Sequence, residues 1–298
     1  MEVEHYKNFD IKKMTAFKVG GEICDVYFPK NIEEFCDINC NYKVLGNLSN
    51  VIISSLGYDG NIVITSKMDE IQIEGIKVRA QAGVKGPKLS QAVMEKSLSG
   101  FEFMIGFPGS IGGEIAMNAS ANGQCISDNL ISATIYSKDK GVFKLQKDKM
   151  GFDYRTSVCH RNNYFVLEGE FELTPDKKST IEKRMADNLE FRRAHQPMLN
   201  LPNCGSVFKN PQGFSAGKLL DEAGVKNLSV GGAKVWENHA NFIVNSEQKA
   251  NSKDILNLMV LMKEKVKKRF DIELIPEIIY IGNRDKEEDE LCKILYQK

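Results

Sequence analysis

The sequence predicts an α+β fold: a strand-rich first part to about residue 175, a smaller unit of helices and strands over 176–282, and a charged tail. Three observations carry this. β-Branched residues alternate between glycines from Asn61 to Gly83, as a sheet requires. The stretch SKDILNLMVLMKEKVKKRF puts Ile255, Leu258, Met259, Met262, Val266 and Phe270 on one helical face. A chain of 298 residues is also long enough to divide into two or three compact units.

The elements follow in order. ICDVYFP reads as a strand, and NIEEFCDIN as a helix capped by Asn31 with Glu34 three residues on. YKVLG returns as a short buried strand, and NIVITS, IQIEG and IKVRAQAG continue the sheet. PKLSQAVMEKSLSG is a helix with proline at its start and glycine just past its end. ISATIYSKDKGVFKLQ makes a hairpin turning at Lys138 to Gly141, and YFVLEGEFEL a long strand. STIEKRMADNLEFRRAHQP is helical until Pro197 stops it, and IELIPEIIYIG is the last strand. The tail NRDKEEDELCKILYQK reads as an appendage, helical or frayed.

Forty basic residues against forty acidic ones leave no positive field for nucleic acid or an anionic membrane. No apolar run approaches the roughly 20 residues that span a bilayer, and the N-terminus lacks a signal-peptide pattern. A soluble, cytoplasmic monomer is expected. Seven scattered cysteines fit free thiols in a reducing compartment, and Cys36 and Cys40 lack further ligands at metal spacing.

The densest chemical signal is IGFPGSIGGEIAMNASANG, residues 105–123, with five glycines among small polar residues. Glycine lets a ligand approach the main chain and lets successive N–H groups form an anion nest; tight turns and close helix packing are the structural alternative. No GxGxxG follows a first strand and no P-loop GKS or GKT occurs, which disfavours Rossmann and kinase-like readings. VLGNLSN at 44–50 is a second such turn, able to face the first across a diphosphate.

Three residues stand out beyond the turns. Ser206, in NCGSVFKNP, shares a face with Phe208 if that run is a strand, while Val207 and Lys209 share the other. No GxSxG elbow supports a hydrolase serine. Arg155 sits in FDYRTS, where a solvated surface charge is the plain reading. Glu277 follows Pro276 inside an otherwise apolar strand; it is either a strand-end residue in water or part of a site.

FEFMIGFPGSIGGEIAMNASANG, FDYRTS, QPMLNLPNCGSVFKNP, GFSAGKLLDEAGVKNLSVGGAKVWENHANFIVN and LIPEIIYIG, with TAFKVGGE at 15–22, occur in fixed order. Together they resemble the UDP-N-acetylenolpyruvoylglucosamine reductase family, also called UDP-N-acetylmuramate dehydrogenase, over about residues 10–282. The resemblance implies a two-subdomain FAD-binding module of the vanillyl-alcohol-oxidase type (1–66 and 67–175), a C-terminal α/β substrate-binding domain (176–282) and the tail (283–298). The short run from Leu173 to Arg193 resembles the shorter form of the family.

The resemblance also implies a reaction in peptidoglycan precursor synthesis. NADPH reduces FAD, and the enolpyruvyl ether of UDP-N-acetylglucosamine then takes up hydride. FAD contacts fall on Gly46, Asn47, Leu48, Ser49 and Asn50, on Pro108, Gly109, Ser110, Gly112 and Gly113, and on Asn118, Ala119 and Ser120. Arg155 would hold the substrate carboxylate, Ser206 deliver the proton, and Glu277 assist at the developing oxyanion. Arg193, Lys209, Asn210 and His239 would lie near the nucleotide sugar.

The first flavin loop departs from the family's roughly LGGGSN, with Asn47 and Leu48 where glycines are common. A leucine forced into the left-handed conformation costs ~1–2 kcal/mol. Ser120 replaces a common glycine, and Thr156 follows Arg155 where aspartate is frequent. Two other functions stay open: a catalytically silent sugar-nucleotide-binding protein that has lost FAD through the Leu48 change, and a flavin oxidase of the same fold.

Overall fold

Alternation and capping set the elements of this computed structural model, which describes residues 3–198 and 200–297. Met1, Glu2, Leu199 and Lys298, which fall in the expected first and last segments and in the QPMLNLPN motif, lie outside the described residues. In chain order the main strands are β1 (Glu4–Asp10), β2 (Glu22–Phe28), β3 (Tyr42–Leu45), β4 (Val51–Ile53), β5 (Tyr58–Ile64), β6 (Ile71–Glu74) and β7 (Lys77–Gln81). They continue with β8 (Leu130–Ser137), β9 (Gly141–Gln146), β10 (Phe165–Glu172), β11 (Ser229–Val230), β12 (Ala233–Val235), β13 (Ile243–Val244) and β14 (Ile279–Ile281). The α-helices are α1 (Ile32–Cys36), α2 (Gly86–Glu95), α3 (Ile111–Ala116), α4 (Val158–Asn162), α5 (Lys178–His195), α6 (Ala216–Glu222), α7 (Ser252–Phe270) and α8 (Lys286–Tyr296).

Two compact units emerge, each drawn from three stretches of chain: 1–5, 26–47 and 62–192 in the first, 6–25, 48–61 and 193–298 in the second. The first unit is built on a five-stranded sheet of order β9-β8-β10-β7-β6, antiparallel throughout. The hairpin between β8 and β9 turns where expected, pairing Ser137 with Gly141. Val78, Ala80, Ala133, Ile135 and Phe171 of this sheet share a core with Ile111 and Ile115 of α3 and Leu89 and Val93 of α2. Helix α5 packs Ile181 and Met185 against Ile105 in this unit, although the expected boundary at 176 groups it with the C-terminal segment.

The second unit is organised around α7. Asn251 caps it, accepting from Asp254 N while the Asp254 carboxylate accepts from Asn251 N, and three basic residues in the last turn suit the helix dipole. Ile255, Leu258, Met259, Met262 and Val266 are buried as the periodicity predicts. The small antiparallel sheet β11-β12-β13 and the parallel pair β4–β14 complete this unit.

Four sequence readings are corrected. Helix α2 ends at Glu95, so Gly100 does not lie just past its end, and Ser97 at φ +57° takes the left-handed conformation there. Residues 206–209 are not a strand with alternating faces: Ser206 bridges to Phe242 and Phe208 to Pro276 as isolated pairs, so Val207 and Phe208 are both buried. The last strand is only Ile279–Ile281, leaving Glu277 before it. The tail is no appendage. It forms α8, whose Leu291, Cys292 and Leu295 join the core around α7, and its buried Glu288 accepts from Ser252 Oγ at 2.6 Å.

Candidate active site

In the first unit the two glycine turns meet. β3 delivers Gly46 and Asn47, and the Asn47 side-chain amide donates to Pro108 O at 2.5 Å. Gly46 lies so close to Ser110 that a Cβ there would overlap the serine hydroxyl. The second turn is pinned from behind. Ile111 N donates to Val84 O and Gly112 N to Ala82 O, each at 2.9 Å, and Ser110 bridges to Lys85. Gly113 points into open space, and the buried Ser110 Oγ has no hydrogen-bond partner among the described residues.

Past α3 the chain doubles back through Asn118, Ala119 and Ser120, with Asn118 at φ +46°. Arg155, itself at φ +54°, reaches this segment and donates from Nη1 to Ser120 Oγ at 3.1 Å. Asn118 Nδ2 donates to Asp153 O at 3.2 Å and Ser157 Oγ to Ala116 O at 2.8 Å, so the arginine loop is tied at both ends. A positive φ at a non-glycine residue marks backbone held by its surroundings.

The second unit assembles another cluster. Thr15 and Val19 of TAFKVGGE clasp each other through the Thr15 hydroxyl, and Ala16 N donates to Leu48 O at 3.2 Å. Leu48 takes φ +52° with only 3% exposure, the left-handed conformation that its glycine-like position implies. Asn50 Nδ2 donates to Glu277 O at 3.0 Å, and Glu277 N to Val207 O at 2.8 Å. The buried Asn241 brackets the other side of this run, accepting from Phe208 N at 3.0 Å and donating to Phe208 O at 2.9 Å. The Asn50 side chain and one main-chain bond thus join Asn50, Glu277 and the Ser206–Phe208 run.

Lys209 continues this run, its N–H bonded to Ile275 O at 2.9 Å. Asn210 accepts from Ala216 N at the entry to α6. His239 stacks edge-on with Phe242 and lies against Gly217; burial lowers its pKa, with Lys226 adding to the effect. Arg193 is exposed near the end of α5. Thus the first unit brings together Gly46, Asn47, Pro108–Gly113, Asn118–Ser120 and Arg155. The second holds Leu48–Asn50, Ser206, Lys209, Asn210, His239 and Glu277, with Arg193 opening its third stretch of chain.

Two residues escaped the sequence reading. Asn241 gave no signal beyond its place in the motif ENHANFIVN. Glu114 did: it is the only charged side chain in the glycine segment, and it is buried with burial alone pushing its carboxyl up to about 8. No group of His, Cys, Asp and Glu among the described residues is arranged to hold a metal ion, and no helix among them is long and apolar enough to cross a membrane.

Comparison with known proteins accounts for both halves. Residues 30–145 match an FAD binding domain, and residues 196–281 match the C-terminal domain of UDP-N-acetylenolpyruvoylglucosamine reductase. The chain is 37% identical to the UDP-N-acetylenolpyruvoylglucosamine reductase of Clostridium tetani, covering 91% of this chain and 90% of that one. It is 38% identical to that of Lactococcus lactis subsp. cremoris, covering 93% and 94%. The crystal structure of UDP-N-acetylenolpyruvylglucosamine reductase from Thermus caldophilus superposes with a TM-score of 0.80 at 30% identity, over 94% of this chain and all of that one. Likeness of this extent, running through both the glycine turns and the Ser206–Glu277 cluster, makes the chain a member of the UDP-N-acetylenolpyruvoylglucosamine reductase family.

Proposed function

We propose that this protein reduces UDP-N-acetylglucosamine enolpyruvate to UDP-N-acetylmuramate, with electrons from NADPH carried by FAD, as a cytoplasmic step of peptidoglycan precursor synthesis. The observation that carries this is the ladder from Asn50 through Glu277 to Val207, which ties a candidate flavin turn to two candidate catalytic groups.

The residues present fit FAD. Ser110 Oγ and Asn118 Oδ1 are buried polar atoms lacking hydrogen-bond partners among the described residues, and Gly113 leaves the surface of the second turn clear. Gly46 and Asn47, Pro108 to Gly113 and Asn118 to Ser120 would hold the cofactor in the first unit, and Leu48 to Asn50 in the second. Bound FAD supplies a two-electron carrier between NADPH and the enol ether.

Reduction adds a hydride to the terminal carbon of the enol ether and a proton to the carbon beside its carboxylate. Arg155 holds that carboxylate and stabilises the negative charge spreading onto it, a role suited to a planar fork of donors. Ser206 gives its proton to the neighbouring carbon; a hydroxyl is a weak acid, sufficient only in contact with a strongly basic enolate. Glu277 assists at the same developing charge. Lys209, Asn210, His239 and Arg193 bind the sugar nucleotide.

The test is direct. Purified protein carries flavin absorbance and consumes NADPH when the enolpyruvyl sugar nucleotide is supplied, forming the lactyl ether. Colourless protein that remains inactive after FAD is restored would overturn the reading and favour the silent binding protein.

A further inference from the structure

Glu114 lies in the first turn of α3, 4% exposed, and neither of its carboxyl oxygens has a hydrogen-bond partner among the described residues. It is wedged between two glycines. Its Oε1 stands 2.9 Å from where a Cβ on Gly86 would be and 3.0 Å from the same point on Gly109. Gly86 opens α2, and Gly109 belongs to the second glycine turn. The carboxyl therefore fills the seam between that turn and the segment 82–86 against which it is pinned.

A carboxylate there would be a buried charge with no counter-ion, so the group stays a neutral acid. Among the described residues no charged group on a neighbouring element offsets this burial: Lys85, next to Gly86, is exposed to solvent. Lys88 of α2 pairs with Asp69, Arg79 of β7 acts on Glu168 of β10, and Glu102 pairs with Arg184. Cys159 of α4 is a neutral thiol, pushed up to about 11 by burial.

We propose that Glu114 is a positioning residue for FAD: as the neutral acid it holds Gly109 and Ser110 in the shape that accepts the cofactor's diphosphate, and its ionisation releases FAD. This rests on FAD lying at the two glycine turns. An ionised carboxyl draws water, which reaches it only by parting the turn from α2, and it also repels the diphosphate. Binding FAD therefore retains a proton, and affinity falls as pH rises past the point where the free protein loses it.

The test is titration of FAD into flavin-free protein between about pH 6.5 and 9.5, comparing wild type with Glu114→Gln, an isostere that cannot ionise. The difference between the two proteins cancels the flavin's own titration. Wild type is expected to bind at least about tenfold more weakly at the upper pH, and Glu114→Gln to change less than about threefold. Parallel profiles overturn the proposal. Loss of FAD by Glu114→Gln at every pH, with a native circular dichroism spectrum, also overturns it. Gly113→Leu separates this from the parent reading, because the position has open space for a side chain yet would obstruct a ligand on the turn. If Gly113→Leu binds FAD like wild type, the turn is not the flavin site. If it loses FAD while the other two profiles coincide, the site stands and Glu114 has no part in it.

Discussion

The side-chain amide of Asn50 donates to the main-chain carbonyl of Glu277 at 3.0 Å, joining residues 227 positions apart. Asn50 O also accepts from Ile279 N, so one residue grips the chain on both sides of Ile278. Asn50→Ala removes the first bond and keeps the second. The expected cost is about 1 kcal/mol of stability. Substrate turnover is expected to fall by about tenfold or more, since small misplacements of reacting groups are amplified in rate. Unchanged kcat/KM would show that Glu277 is held without Asn50.

Ser206→Ala leaves the turns intact and removes a proton donor. Flavin reduction by NADPH is expected to proceed at the wild-type rate, while reoxidation by substrate slows about 10²–10⁴-fold. Stopped-flow absorbance separates the two half-reactions. Equal damage to both would contradict the assignment.

Leu48 is both left-handed and buried, so two effects oppose each other in Leu48→Gly. Relief of backbone strain stabilises by ~1–2 kcal/mol. Loss of the buried side chain costs ~1.5–3 kcal/mol, and added freedom of the unfolded chain ~0.5–1 kcal/mol. The net expectation is a loss of ~1 kcal/mol, visible as a lower Tm of the purified protein. A raised Tm would mean that strain dominates at this position.

Glu114 also sets a pH dependence of the unliganded fold. Its carboxyl holds a proton to about pH 8 when folded, but releases it near the ordinary 4.5 when unfolded. Between these values the unfolded state binds fewer protons, so stability falls as pH rises from about 4.5 to 8 and levels off above. Denaturant melts of Glu114→Gln are expected to lose this slope, the difference reaching ~3–5 kcal/mol. A slope shared by both proteins would assign it to other groups.

Truncation before Asp285 removes Leu291, Cys292 and Leu295 from the core and the Glu288 acceptor from Ser252. Burial of three such side chains is worth several times ~1.5–3 kcal/mol. The shortened chain is expected to be insoluble or to lose cooperative unfolding of the second unit. A soluble product with the wild-type melting profile would return the tail to the status of an appendage.

Much of this was legible from periodicity. The 138–141 hairpin turns and α5 forms where predicted, and α7 buries Ile255, Leu258, Met259, Met262 and Val266 of its predicted face, because neighbours in sequence determine these elements. Two of the misreadings share one cause. Residues 206–209 and 271–278 interleave apolar and polar residues as strands do, yet Ser206 and Phe208 pair only as single bridges to distant segments, which no local pattern reports. The tail's charges concealed an apolar face at 291, 292 and 295. The two discontinuous units were equally hidden, since the chain enters and leaves each of them more than once. Motif order led to the family; the meeting of Asn47 with Pro108, and of Arg155 with Ser120, is a matter of tertiary packing.

The parallel pairing of Val51–Ile53 with Ile279–Ile281 bears on biosynthesis. As the polypeptide emerges from the ribosome, the early strand waits for a mate made 228 residues later. Until then its edge is unprotected, and exposed strand edges recruit other chains. Maturation of the second unit must therefore follow synthesis of Ile279–Ile281, and products that stop short of it present an adhesive surface for quality control to remove.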